Sequence, residues 1–335
     1  MAANQVRSAV TLVELLIVIA IIGVLVQLTI PAIQSSRETA RRLACQNNLR
    51  QIGLAAQQHD QVLGNLPTAG WGWAWIGDPD RGAGKSQSGS WAYQLLPYLE
   101  ARDTYEIGLG LMGEAKFDAL TQLASEPVAL FYCPSRRSPK STPTVDPGFT
   151  LAELPPGLYW YNAKKAPTLA RTDYSANVGD LFVYWGQGPP PSKAEKGEGF
   201  LVFHIDDDLI GPEKVTGVVV QRQPIKLAQV VDGLSQTYFA GEKYLPTDDY
   251  DTGKNFADDQ SCWNGDDLDM LSSTEVPPSP DSGHPNRWKA PFGSAHPDGV
   301  NMVYCDASVH FISYNIEAEI HKKFGNRRDS RSSKN

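Results

Sequence analysis

The sequence predicts an α+β chain in which a long amino-terminal helix leads into a mostly antiparallel sheet with an enlarged, loop-rich head. Three observations predict it. A membrane-length apolar run stands near the start; a stretch with one-face helical spacing follows it directly; and short β-like runs, divided by Gly- and Pro-rich turns, fill the remainder. With 41% apolar and 20% charged residues over 335 positions, the chain has the composition of a globular protein and can bury a sizeable core.

The apolar run from Val10 to Ile30 holds 21 residues. As a helix rising about 1.5 Å per residue it would reach about 31 Å, which matches a hydrocarbon core of about 30 Å. A secretory signal would be shorter, would follow a basic segment and would end in a small-residue cleavage site. Only Arg7 precedes the run, whereas Arg37, Arg41, Arg42 and Arg50 follow it against Glu38. Taken alone, that positive-inside bias places the bulk of the chain in the cytoplasm. Against it stands Glu14, an acid inside the run, where insertion costs about 2.5 to 3.5 kcal/mol. A residue that costly to bury marks a functional position whose partner must be named.

Pro31 is expected to kink the rod without ending it. Beyond it, Cys45, Leu49, Ile52, Ala56, His59 and Leu63 recur at alternating intervals of four and three, one face of an amphipathic helix that Gly64, Asn65 and Pro67 would stop. His59 reads as a polar residue closing that face, not as a ligand. The β-like runs are "FYCPS" at 131–135, "GFLVFHI" at 199–205, "TGVVVQ" at 216–221, "TYFAGE" at 237–242, and "VNMVYC" with "SVHFI" within 300–312. The segments 187–199 and 275–286 read as surface loops, and the last ten residues, from Asn326, as a flexible tail.

The net charge of -8 argues against nucleic acid as a partner, since phosphates attract clusters of Lys and Arg. Cys45, Cys133, Cys262 and Cys305 show neither CxxC nor a His-Cys metal spacing, so local spacing gives zinc no support. Two disulfides fit an oxidising compartment and free buried thiols a reducing one; the count alone leaves both open. No HExxH, G-x-S-x-G or Walker loop is present. "GLGLMG" at 108–113 satisfies G-x-G-x-x-G, but neither a buried strand before it nor an acid about 20 residues later accompanies it, and it reads as coincidence.

At the amino terminus, residues 7–16, "RSAVTLVELL", resemble the type IV prepilin signal. The resemblance implies that a prepilin peptidase removes a leader of residues 1–9 between Ala9 and Val10 and that the new terminus is methylated. Glu14 would then be the fifth residue of the mature chain, paired with the terminal ammonium of a neighbouring subunit. Ala9 stands where the family usually has Gly, and Val10 where it has Phe or Met.

Further along, "CQNNLRQIGLAAQQHD", "CPSRRSP", "TDYSANVGD", "VVDGLSQTYFAGEKY" and "SAHPDGVNMVYCDASVHFI" together resemble a large bacterial family of prepilin-type proteins of unassigned function, also labelled extracellular solute-binding-like. Its carboxyl-terminal signature is His-x9-Asp-Gly, and His296 and Asp306 stand at that spacing with Ala307 in place of the Gly. The resemblance implies a pilin-like fold: a transmembrane and assembly helix at 10–30, an amphipathic continuation at 31–63, an extracytoplasmic head at 64–325 and a tail at 326–335. Physically, the end of the signature reads as two strands joined by a tight turn at Asp306 to Ser308. Asp306 would cap it, and Ala307 would cost about 1 kcal/mol where Gly is preferred. His296 is expected to hydrogen-bond to the hairpin or to its Asp.

Asp248, Asp249, Asp251, Asp258, Asp259, Asp266, Asp267 and Asp269 form an oxygen-rich stretch with little counter-charge. Such a stretch is either a solvated acidic loop or a calcium site. Similarity to the major pseudopilins, which stiffen a carboxyl-side loop with calcium, makes Asp248, Asp249 and Asp251 the first candidates. Cys45 with Cys133 is a plausible pair that would leave Cys262 with Cys305, although three pairings exist; an exported head would favour disulfides. Trp71, Trp73, Trp75 and Trp91 read either as core or as a face for glycan or protein.

The expectation is therefore a non-enzymatic pilin-like or pseudopilin-like subunit. It would sit in the inner membrane before assembly, with its head in the periplasm or at the cell surface and with copies of itself or related pilins as partners. The alternative is a membrane-tethered module that binds a solute or glycan without polymerising. A weaker third class is a tethered hydrolase using His296 and Asp306.

Overall fold

A computed structural model describes residues 12–145, 151, 153–181, 183–184, 186–198, 203–204, 214–285 and 289–329. The leader, with Ala9 and Val10, lies outside the described residues, as does most of the run at 199–205. The chain forms two compact units, Met1–Leu43 and Ala44–Asn335. Helix α1, Leu12–Leu63, supplies all of the described part of the first unit and enters the second. The shorter helices are α2 (Trp91–Leu95), α3 (Arg102–Tyr105), α4 (Gly113–Ala124), α5 (Pro191–Ala194) and α6 (Ala318–Gly325).

In the first unit α1 begins as an apolar run interrupted by Glu14 and turns polar from Gln34 onward; in the window long and apolar enough to cross a membrane no residue is buried by protein. Pro31 lies inside the helix, which continues past it. In the second unit the same helix buries Cys45, Leu49, Ile52, Gly53, Ala55, Ala56 and His59. The stripe stops one turn earlier than its spacing predicts, because Leu63 is 42% exposed. Gly64 ends the helix with φ +75°, its N–H bonded to the Asp60 carbonyl at 2.8 Å. His59 Nδ1 lies 2.7 Å from the Asn65 carbonyl and so secures that ending.

Eleven short strands are described: β1 (Thr142–Pro143), β2 (Thr168–Leu169), β3 (Tyr174–Gly179), β4 (Val183–Tyr184), β5 (Phe203–His204), β6 (Tyr238–Glu242), β7 (Leu271–Ser273), β8 (Ser279–Pro280), β9 (Gly293–Ser294), β10 (Gly299–Tyr304) and β11 (Val309–Ser313). The principal sheet runs β11-β10-β6-β3-β7, antiparallel except for the parallel β3/β7 pair. Strands β3, β6 and β10 are buried along their full length, as expected of strands covered on both faces, whereas β11 is half exposed. Around them Trp91, Phe131, Phe239 and Trp263 meet edge to face at ring separations of 5.7 to 6.1 Å.

Two of the expected strands are absent. "FYCPS" leaves a 3-10 turn at Ala129–Phe131 and bends again at once, with the Cys133 carbonyl accepting from the Arg136 and Arg137 N–H groups. "TGVVVQ" is buried, but the N–H groups of Val218 and Val219 converge on one carbonyl, that of Asn177, so no ladder forms. An apolar run signals burial; which backbone group satisfies its N–H groups is a tertiary matter. The tail expected from Asn326 is docked for its first residues. Arg327 is 4% exposed, donates its N–H to the Thr216 carbonyl and accepts from the Val231 N–H, both at 2.9 Å.

Candidate functional site

At the end of the sheet where β3 begins and β6 finishes lies a lattice of buried charge that explains the paired arginines of "CPSRRSP". Arg136 meets Asp173 at 3.2 Å and Asp281 at 2.9 Å; Arg137 meets Asp173 at 2.8 Å and Asp258 at 2.5 Å; Lys243 meets Asp258 at 3.0 Å. Three cations thus face three carboxylates, all with side chains at most 2% exposed. Burial alone would raise Asp258, but Arg137 and Lys243 hold its carboxyl well below the usual carboxylate range. The lattice also fixes a loop, since Asp173 Oδ2 accepts the Cys133 N–H at 2.7 Å.

That bond sets Cys133 into a second cluster. Cys45 from α1, Cys133 from its turn, Glu242 from the end of β6 and His296 from the loop before β10 place one sulfur, nitrogen or oxygen each within 4.8 Å of all the others. None of the four is more than 2% exposed. The sulfurs are 2.6 Å apart, His296 Nε2 is 3.1 Å from Glu242 Oε1, and Cys133 Sγ is 3.6 Å from the same oxygen.

Neighbours aim these groups. Glu242 Oε2 accepts the Asn301 backbone N–H at 2.8 Å and its side-chain Nδ2 at 3.1 Å, which turns Oε1 toward the cluster. Gln46 Nε2 in turn donates to Asn301 Oδ1 at 3.0 Å. The His296 N–H donates to Ser294 Oγ at 2.8 Å, and its carbonyl accepts Tyr314 OH at 2.9 Å. Burial alone would lower His296, but hydrogen bonds to Cys133 and Glu242 outweigh it and push it up to about 11. Its hydrogen bond to Cys45, and then burial, push the Cys133 thiol up.

His296 and Asp306 are not brought together. Asp306 Oδ1 accepts the Ser308 N–H at 2.9 Å and its hydroxyl at 2.6 Å, while Ala307 takes φ +63°. The aspartate builds the hairpin turn; the histidine reaches β10 through Glu242 and Asn301. A His-Asp catalytic pair has no geometric basis here.

Asp248, Asp249 and Asp251 do not converge either. Asp248 is exposed; Asp249 accepts from Thr252 Oγ1 at 3.2 Å and Asn255 Nδ2 at 2.9 Å; Asp251 pairs with Lys140 at 3.1 Å across the surface. The carboxylates that do converge are Asp259, Asp267 and Asp269, again within 4.8 Å. Burial first, and then the neighbouring acids, push Asp267 and Asp269 up, and Asp259 is raised to about 6, chiefly by burial.

All four cysteines are buried thiols, and only Cys45 and Cys133 are in contact. Cys262 sits behind Ser90 and Ala170, and Cys305 behind Thr237 and Gln57. Trp71, Trp75 and Trp91 are at most 3% exposed, so they belong to the interior and not to a binding face. The glycines at 108–113 form a turn held by Lys116, whose Nζ meets the Gly108 carbonyl at 3.0 Å and Asp78 and Asp80 at 2.6 Å each.

With this geometry in hand, residues 34–319 match the family described as protein of unknown function (DUF1559), labelled SBP_bac_10. The chain belongs to the DUF1559 family. No curated protein and no solved structure matches it. The DUF1559 span contains all four residues of the mixed cluster and both residues of the His-x9-Asp spacing; Glu14 and the apolar run precede it. Of the cluster, sequence reasoning singled out Cys45, Cys133 and His296 and missed Glu242. Its signal was an acid closing the otherwise apolar run "TYFAG", where an unpaired charge would not be tolerated.

Proposed function

We propose that the chain is a membrane-anchored, pilin-like or pseudopilin-like subunit of an envelope filament or secretion pseudopilus. Its apolar helix lies in the inner membrane first and against the helices of other copies after assembly. The observation that carries this reading is the first half of α1. Leu15, Leu16, Ile17 and Val18, which together go once around the helix, are 51 to 56% exposed, and no residue of the membrane-length window is buried by protein. At about 25 cal/mol per Å² of apolar surface, such a rod does not remain in water. Lipid or packed helices must cover it. Glu14 near its start is the acid that a trimmed, positively charged terminus of a neighbour would neutralise.

The head stays outside the cytoplasm in this reading, and prepilin peptidase is the processing partner. Mass spectrometry of the native amino terminus tests it directly: a chain starting at N-methylated Val10 is expected, and an intact Met1 in the membrane-resident protein overturns it. Glu14→Ala separates a filament subunit from a tethered solute or glycan binder. The subunit loses assembly with its head still folded, whereas the binder is indifferent.

A further inference from the structure

The mixed cluster has a chemistry that neither a filament role nor a hydrophobic core requires. We infer that Cys45, Cys133, Glu242 and His296 form a closed tetrahedral zinc site that clamps α1 to the sheet.

The donor set comes first. Two thiolates, an imidazole and a carboxylate are borderline-soft donors of the kind that select Zn2+ over Ca2+ or Mg2+, which take oxygen alone. Four donor atoms within 4.8 Å of one another fit around a single ion. With Zn–S about 2.3 Å, Zn–N about 2.0 to 2.1 Å and Zn–O about 2.0 to 2.2 Å, a tetrahedral S–S edge is about 3.8 Å. The sulfurs, now 2.6 Å apart, would therefore part by about 1 Å on loading.

Positioning is the second point. A metal-bound carboxylate is ordinarily held by outer hydrogen bonds, and Glu242 has two from Asn301 to the oxygen that faces away from the cluster, with Gln46 orienting Asn301 in turn. Cys133 is fixed through Asp173, and His296 by Ser294 and Tyr314 at its backbone. Charge is the third. Two thiolates and a carboxylate against Zn2+ leave one negative charge, which the Asn301 donors face.

A disulfide between Cys45 and Cys133 is the rival use of these residues. It would join two of the four groups and leave Glu242 and His296 as a pair beside it. The metal uses all four. Because every position is filled by protein, the site is structural: it joins α1, the turn after Phe131, the end of β6 and the loop before β10, and supplies folding energy instead of an open coordination position.

The inference goes beyond the filament reading and does not depend on it. Full-length protein is extracted from membranes in detergent without chelator and its metal measured by plasma mass spectrometry. About one zinc per chain is expected, falling at least tenfold in Cys45→Ala and in Glu242→Gln. Replacement of zinc by cobalt is expected to give visible ligand-field bands of tetrahedral intensity and a thiolate-to-cobalt charge-transfer band in the near ultraviolet. If the variants do not fold, the wild-type metal content and cobalt spectrum still decide. Two results overturn the proposal: wild-type protein that holds no stoichiometric metal after reduction and incubation with zinc, or a Cys45–Cys133 disulfide in peptides mapped from the native protein without reductant.

Discussion

Gly53 on α1 is pressed against the hairpin turn at Ala307: a Cβ added to it would lie 3.0 Å from the Ala307 Cα and 2.6 Å from Val303 Cγ2. The helix crosses β10 at this point, and only a residue without a side chain lets the backbones come so close. Gly53→Ala gains helix propensity of about 1 kcal/mol, yet must push the hairpin away. Overpacking of this kind costs about 1 to 3 kcal/mol. Denaturant melts are expected to show Gly53→Ala neutral to destabilised and Gly53→Leu clearly destabilised. A more stable Gly53→Leu would show that the crossing is loose.

Ala307 itself holds φ +63°, in the left-handed region that costs a residue bearing Cβ about 1 to 2 kcal/mol. Ala307→Gly removes that strain while giving back some unfolded-chain entropy. A gain of up to about 1 kcal/mol and a higher Tm are expected. A loss of stability would mean that the Ala307 methyl, buried against α1, contributes more by packing than its φ costs.

The buried charge lattice is balanced, so removing one member leaves another unpaired. Asp258→Asn strips Arg137 and Lys243 of a shared carboxylate. Breaking a buried pair costs about 3 to 5 kcal/mol, and urea unfolding should register that loss. Arg136→Lys is expected to be nearly as harmful, since Arg136 spans Asp173 and Asp281 with one planar fork.

His321 gives the fold an acid-sensitive point. It is buried between Tyr238 and Phe292, neither ring nitrogen has a hydrogen-bond partner among the described residues, and burial lowers its pKa to about 3. The unfolded chain takes up a proton near pH 6.5, which the folded chain resists until about pH 3. Stability is therefore unaffected by this group above about pH 6.5 and falls as acid is added below it, by about 1.4 kcal/mol per pH unit. His321→Phe should remove that share of the slope between pH 6 and pH 4. An unchanged slope would assign the acid sensitivity to other groups.

Helix α1 and the β10–β11 hairpin were legible in the sequence because each rests on local rules: apolar spacing for the helix, and alternation around an Asp-capped turn for the hairpin. "TGVVVQ" misled because its burial is genuine while its hydrogen-bond partner, Asn177, lies far away in the chain. The mixed cluster as a set was hidden for the same reason, although Cys45 and Cys133, the pair the sequence suggests, are in contact. Its members run from position 45 to position 296, with no two near enough to form a motif. His296 drew notice only through its distance to Asp306, a residue that turns out to serve the turn beside it. Among the acids, density pointed to Asp248 to Asp251, but convergence depends on how the loop folds back and selects Asp259, Asp267 and Asp269.

The six charged side chains of the lattice are shut away from dissolved ions, which weaken their attractions far less than those of exposed pairs. A head knitted together in this way should hold its shape from dilute to briny surroundings.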